Sequence, residues 1–184
     1  MRIVAGTYRS RIIKAVEGTH TRPTTDKIKE AVFSSIGPYF DGGVMLDLFA
    51  GSGNIGLEAL SRGMDTIYFC DHHPRSVATI KSNCASLHVQ DACHIYTCDY
   101  QSLLRQLAQK NMTFDLIYLD PPYRKQRIHD IMTFISQHAL LKKQGIVVAE
   151  SLKEDTFEDT YIDLYKCKDK TYGITRITIY ERSL

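Results

Sequence analysis

Two short stretches of the chain hold residues whose types and spacing could do chemistry. The first is Asp120-Pro121-Pro122-Tyr123, directly after the apolar run 114–119. The prolines fix the backbone, so the Asp120 carboxylate and the Pro121 carbonyl can converge on one atom, with the Tyr123 ring beside them. That set suits the amino nitrogen of a nucleic-acid base. Such a nitrogen is planar, because its lone pair is delocalised into the ring, and it is a poor nucleophile. Two acceptors that bind its two hydrogens draw it toward a tetrahedral geometry and aim the lone pair at an electrophilic methyl group. Asp120 can also take the proton that leaves. A base flipped from its stack would rest on the aromatic face, worth about 1–3 kcal/mol in comparable sites. The remaining catalysis is positioning, with reacting atoms roughly 3 Å apart. Asp120, Pro121 and Tyr123 are therefore the candidate catalytic residues. In isolation the same four residues also read as a proline-rich turn after a strand.

The second stretch is Asp47-Leu48-Phe49-Ala50-Gly51-Ser52-Gly53-Asn54-Ile55-Gly56. Gly51, Gly53 and Gly56 fit Gly-x-Gly-x-x-Gly, in which missing β-carbons allow a tight turn and close approach of backbone to a ligand. Asp71, at the end of the next apolar run, can accept two ribose hydroxyl hydrogen bonds. This pattern alone would also fit a dinucleotide enzyme. Asp47 leans against that reading: a carboxylate inside the turn repels a pyrophosphate and suits a cationic amino group or a sulfonium. No lysine follows the loop, so it is not a P-loop. The two stretches together point to S-adenosylmethionine. The candidate cofactor-binding set is Asp47, Phe49, Gly51, Gly53, Asp71 and Asp99, where Asp99 could hold an adenine amino group, cap a helix, or do both.

Residues 1–30 hold seven basic side chains (Arg2, Arg9, Arg11, Lys14, Arg22, Lys27 and Lys29) against three acidic ones, a balance of +4. The chain as a whole carries +2, so the remainder is slightly acidic. A basic arm on an acidic body fits a polyanion partner, although a solvated basic surface has the same composition. Arg124 and Lys125 follow the tetrapeptide and could hold phosphates beside the target nucleotide, or merely open a solvated helix. Arg9, Arg11, Arg22, Thr24, Arg124 and Lys125 form the candidate RNA-contacting set.

These groups need elements to position them. Residues 2–16 read as short strands or an extended arm. Thr24 or Thr25 can cap a helix with an apolar face of Ile28, Ala31, Val32 and Ile36, stopped by Gly37-Pro38. Strands are expected at 44–49, 66–70, 94–98, 114–119 and 145–150. Helices fall between them: one through Leu57 and Leu60, one opened by Pro74 and lined by Val77, Ile80, Cys84 and Leu87, one at Leu103, Leu104 and Leu107, and one at Ile128, Ile131, Met132 and Ile135. Two β-rich runs, 160–167 and 174–181, close the chain around Gly173. Alternation of strand and helix implies parallel pairing with right-handed crossovers. The last two runs are too close for a crossover and should pair antiparallel. Ligands then belong at the carboxyl ends of the strands.

With 184 residues and 43% hydrophobic residues, the chain suits one core rather than several. Cys70, Cys84, Cys93, Cys98 and Cys167 form no Cys-x-x-Cys pair, so no zinc site and no metal is expected, and reduced thiols in a cytoplasmic protein are the reading. No signal segment and no membrane association are expected.

The chain resembles the bacterial 16S rRNA guanine-N2 methyltransferases of the RsmD type. The resemblance spans nearly the whole chain. It rests on residues 1–6 with Tyr8, Arg9 and Arg11, on Arg22-Pro23-Thr24-Thr25-Asp26 with Glu30-Ala31-Val32-Phe33, on residues 47–56 with Glu58-Ala59-Leu60-Ser61-Arg62-Gly63, and on residues 120–123. Asn54 departs from the small residue expected at its position. The resemblance implies an α/β, Rossmann-like class I methyltransferase fold with a mostly parallel seven-stranded sheet and one antiparallel strand. It implies a basic extension over residues 1–40 that contacts RNA and a methyltransferase domain over 41–184. It further implies S-adenosylmethionine as cofactor, 16S rRNA or the 30S subunit as partner, and methylation of one guanine N2, the guanine numbered 966 in the reference rRNA. Nothing in the sequence suggests an obligate dimer, and a monomer is expected. Three other readings compete: a DNA amino-methyltransferase, for which 184 residues leave no evident target-recognition domain, a non-catalytic RNA-binding assembly factor, and a nicotinamide-dependent oxidoreductase.

Overall fold

The computed structural model describes residues 1–18, 25–122 and 125–183, the side chains of residues 125 and 126 excepted. Arg22, Thr24, Tyr123 and Arg124 from the candidate sets lie outside these residues, as does the Lys125 side chain. Two compact units divide the chain, Met1–Leu103 and Leu104–Leu184.

The first unit opens with an arm whose ends meet in a single antiparallel bridge between Arg2 and Ile12. Helix α1 (Asp26–Ile36) follows, capped by Thr25, whose side chain accepts from the Ile28 N–H at 3.3 Å. Its buried face is Ile28, Lys29, Val32 and Phe33, not the purely apolar stripe expected: Ala31 and Ile36 are only half-buried, and a lysine takes a core position. Strand β1 (Val44–Asp47) leads through the Gly loop into α2 (Asn54–Ser61), then β2 (Thr66–Asp71), α3 (Pro74–Leu87) and β3 (Cys93–Thr97). The strands pair in parallel in the order β3-β2-β1, with Asp47 opposite Phe69 and Asp71 opposite Thr97. Pro74 stands at the first helical position of α3 behind the His73 cap, and Val77, Ile80, Cys84 and Leu87 are all buried, as the spacing predicts. Helix α4 (Tyr100–Gln109) starts in this unit.

The second unit holds the rest of α4, then β4 (Phe114–Leu119), α5 (Lys125–Gln137), β5 (Leu141–Leu152), β6 (Thr160–Tyr161), β7 (Leu164–Tyr172) and β8 (Thr175–Arg182). Its strand order is β4-β5-β8-β7-β6. Strands β4 and β5 are parallel, and β8 runs antiparallel to both β5 and β7. The expected run 160–167 is split in two, because Ile162 turns the chain at φ 51 and β6 folds back on the start of β7. A two-residue turn, Gly173-Ile174, joins β7 to β8. The architecture is α/β with a mostly parallel, mixed sheet. No helix among the described residues is long and apolar enough to cross a membrane.

Candidate functional site

The Gly loop of the first unit is held from several directions. Gly51 and Gly53 take the left-handed conformation, at φ 55 and 80, which an L side chain adopts only under strain. Gly56 is needed for a different reason. A β-carbon there would lie 2.3 Å from Phe69 and 2.7 Å from Ile67, so α2 packs this closely on β2 only without one. The Ala50 N–H donates to the Cys70 carbonyl at 2.9 Å, and the Gly51 N–H to Asp71 Oδ2 at 2.9 Å. Above Gly51 the space is open: an added β-carbon would meet nothing within 4 Å.

Asp47 ends β1 directly beneath this loop and is 3% exposed. Its Oδ2 accepts from the Gly56 N–H at 3.1 Å, which satisfies one of the donors left unpaired at the start of α2. Burial pushes its carboxyl up to about 7; the Gly56 bond opposes that shift and the nearby Asp71 charge adds to it. A buried carboxyl so displaced is relieved by a cation. Asp71 ends β2; its two oxygens accept from Gly51 and from the His73 N–H at 2.8 Å, and each oxygen keeps a lone pair for a further donor. Asp99 is exposed and does cap a helix, accepting from the Ser102 N–H at 2.9 Å. Phe49 meets Tyr100, with ring centroids 5.3 Å apart at 49°. A cationic group over Asp47, vicinal hydroxyls at Asp71 and a flat ring near Phe49 are what this lining can receive. S-adenosylmethionine fits those demands, whereas the pyrophosphate of a dinucleotide would meet the Asp47 oxygen at the helix start.

Sequence reasoning missed what holds the loop in place. Asn83 of α3, 1% exposed, accepts from the Lys14 N–H at 2.8 Å and donates to the Lys14 carbonyl at 3.1 Å and the Ser52 carbonyl at 2.9 Å. The Lys29 side chain is fully buried. Its ammonium reaches the Arg2 carbonyl at 2.6 Å, Asn54 Oδ1 at 2.8 Å and Glu58 Oε2 at 3.0 Å. Burial lowers its pKa, and Glu58 works against that shift. Glu58 also accepts from the Val4 and Ala5 N–H groups and from Arg62 Nε at 2.8 Å. The departure noted at Asn54 is thus the Lys29 contact. Arg9 and Arg11 of the arm are exposed, and Arg11 donates to the Ser86 carbonyl at 2.9 Å.

In the second unit, Asp120 is exposed and follows directly on β4, with Pro121 buried behind it. Glu150, near the end of β5, is 9% exposed and accepts from the Tyr118 hydroxyl at 2.7 Å. Sequence reasoning did not single out Glu150. The available signal was an acid closing the apolar run 146–149. Among the described residues, no group of three or more His, Cys, Asp or Glu could hold a metal ion.

A family described as "Conserved hypothetical protein 95" matches residues 1–181. A Bacillus subtilis protein, "Putative rRNA methyltransferase YlbH", is 43% identical over 182 residues, 99% of each chain. "Ribosomal RNA small subunit methyltransferase D" of Haemophilus influenzae is 29% identical over 98% of this chain and 93% of its own. Among solved structures, a conserved hypothetical protein of Streptococcus pyogenes superposes with a TM-score of 0.79 at 34% identity, over 84% of this chain and 95% of its own.

Proposed function

The chain belongs to the family described as "Conserved hypothetical protein 95", and on that premise we propose that it is an S-adenosylmethionine-dependent rRNA methyltransferase acting on the exocyclic N2 of a guanine in small-subunit rRNA. The observation that carries the donor is Asp47, a buried carboxylate under a glycine loop with open space above Gly51. The class of acceptor is supported by the names of the relatives, which are rRNA methyltransferases. The finest form of the proposal takes the guanine numbered 966 in the reference rRNA as the target.

When bound, S-adenosylmethionine supplies an electrophilic methyl group on a sulfonium. Asp47 holds the cationic amino group. Asp71 accepts the ribose hydroxyls, and Asp99 and Phe49 take the adenine while Asp99 keeps its cap on α4. Asp120 and the Pro121 carbonyl accept the two amino hydrogens of the base, and Asp120 takes the proton that the nitrogen sheds. Tyr123 stacks on the base. Arg9, Arg11 and Arg22 of the basic arm, with Thr24, Arg124 and Lys125, contact the RNA backbone.

The test is incubation with labelled S-adenosylmethionine and, side by side, unmethylated 30S particles, naked 16S rRNA and DNA, followed by nucleoside analysis. N2-methylguanosine from the particle or the rRNA is expected. Asp120→Ala should abolish it while changing the affinity for S-adenosylhomocysteine less than about twofold. Label in DNA alone, or full activity in that variant, would overturn the proposal.

A further inference from the structure

One position beyond the last paired residues of β4 and β5, each chain carries a carboxylate. Strands β4 and β5 run parallel with Tyr118 opposite Val148 and Leu119 opposite Ala149. The next residues along each chain are Asp120 and Glu150. Side chains alternate along a strand, so Tyr118 and Glu150 leave the sheet on the same face, and Asp120 follows directly on the end of β4. The 2.7 Å bond from the Tyr118 hydroxyl to Glu150 Oε2 agrees with that register. Adjacent strands lie about 4.8 Å apart, within the width of one planar base. Glu150 is 9% exposed, so any group it meets is largely stripped of water.

We propose that Glu150 is a specificity-determining residue that selects guanine, by accepting a hydrogen bond from guanine N1–H while Asp120 binds the neighbouring N2 amino group. This rests on the reading of the chain as a base amino-methyltransferase. The three amino-bearing bases differ beside the amino group. Guanine presents a donor there, N1–H. Adenine presents the N1 lone pair and cytosine the N3 lone pair. An ionised carboxylate can only accept. Facing guanine, Glu150 completes a second charge-assisted bond on the same edge. Facing adenine or cytosine, two lone pairs oppose each other in a buried place, and neither group recovers its lost water. A site built to pair with a donor rejects the analogue that lacks it more strongly than a shape-selective pocket does. The Tyr118 hydroxyl donates to one carboxylate oxygen and holds the plane of the group. Asp120 alone cannot make this choice, because all three bases carry the amino group it binds.

The test uses the full chain and a pair of RNAs: the substrate with guanine at the methylated position, and the same RNA with 2-aminopurine there. 2-Aminopurine keeps the 2-amino group but has a lone pair at N1. The readout is the ratio of kcat/KM for guanine to that for 2-aminopurine. The wild type should prefer guanine by at least about tenfold. Glu150→Gln keeps the size and an acceptor for Tyr118, but offers an amide N–H to N1. It should slow guanine and spare 2-aminopurine, so the ratio falls at least about tenfold. Tyr118→Phe leaves the carboxylate in place without its tether, and its ratio should fall by a smaller factor. Melting curves and S-adenosylhomocysteine affinity check the fold of both variants; if Glu150→Gln does not fold, Tyr118→Phe decides. Methylation of neither RNA by the wild type overturns the methyltransferase reading and this assignment with it. Methylation of guanine with one unchanged ratio across wild type and folded variants overturns the assignment alone.

Discussion

Asp47→Asn should make the protein more stable at alkaline pH. The Asp47 carboxyl is buried, and its pKa is raised from 3.8 to about 7. Between those values the folded chain keeps a proton that the unfolded chain has lost. Folding stability then falls as pH rises, by about 1.4 kcal/mol per unit, and levels off above the folded pKa. A shift of this size amounts to about 4 kcal/mol of lost stability on the alkaline side. Asparagine has the same shape, accepts from the Gly56 N–H equally well, and carries no charge to desolvate. Thermal unfolding of both proteins, without ligand, from pH 4 to pH 8.5 measures the effect. The advantage of the variant should grow by about 4 kcal/mol across that range, or roughly 8–16 °C in Tm for a chain of this size. Parallel pH profiles would refute the reasoning, because they would mean that the Asp47 carboxyl ionises like an exposed one. Ligand supplies the complementary check. Binding of the cationic amino group of S-adenosylhomocysteine near pH 7 should expel a proton from the wild type, seen as a binding heat that varies with buffer ionisation enthalpy. In Asp47→Asn that dependence should vanish and the affinity should drop.

Gly56→Ala should destabilise the fold by about 1–3 kcal/mol, measured by denaturant titration, since the new methyl would sit 2.3 Å from Phe69; an unchanged midpoint would show that α2 can lift off β2 at no cost. Lys29→Met should cost about 3–5 kcal/mol in the same assay, because it removes one cation from the fully buried Glu58. Replacing Arg9 and Arg11 by Ala should weaken RNA binding and lower the slope of log K against log salt by about 1–2. Arg9 should account for more of that change, since Arg11 already donates to the Ser86 carbonyl; an unchanged slope would take the arm out of the RNA interface.

The glycine loop was legible because its signal is local. A glycine pattern between an apolar strand and a helix determines a turn, and an acid four residues before it can hardly avoid facing that turn. The helix faces of α3 and α5 were legible for the same reason, as a 3.6-residue period in apolar residues. What could not be read is where distant polar groups meet. Lys29, Asn54 and Glu58 look like ordinary surface residues of two helices, and only the tertiary fold closes the arm over them. The split of 160–167 into β6 and β7 turns on one residue, Ile162, whose left-handed backbone no propensity predicts. Glu150 escaped notice because its contact with the Tyr118 hydroxyl crosses from β5 to β4, a matter of register. The arm itself was read as a charge balance. Its Arg2, Val4, Ala5 and Lys14 backbone groups also bind Lys29, Glu58 and Asn83, a structural role that a charge count does not show.

That buried network is better understood as a positioning device than as a source of stability. Three charges, Lys29, Glu58 and Arg62, have been taken from water, and well-packed apolar side chains in their place would give comparable stability. Apolar side chains have no direction, however, and the network does. Lys29 fixes the Asn54 amide at the first residue of α2, and Asn83 fixes the Ser52 carbonyl two residues earlier. Both anchors flank Gly53, which takes the left-handed conformation at φ 80. With its neighbours held, the loop is set before ligand arrives, and binding need not supply the ordering entropy of a flexible glycine turn. The cost falls on folding, where a core of buried strands absorbs it. Asn83→Ala should therefore weaken S-adenosylhomocysteine binding more than its loss of stability alone would require.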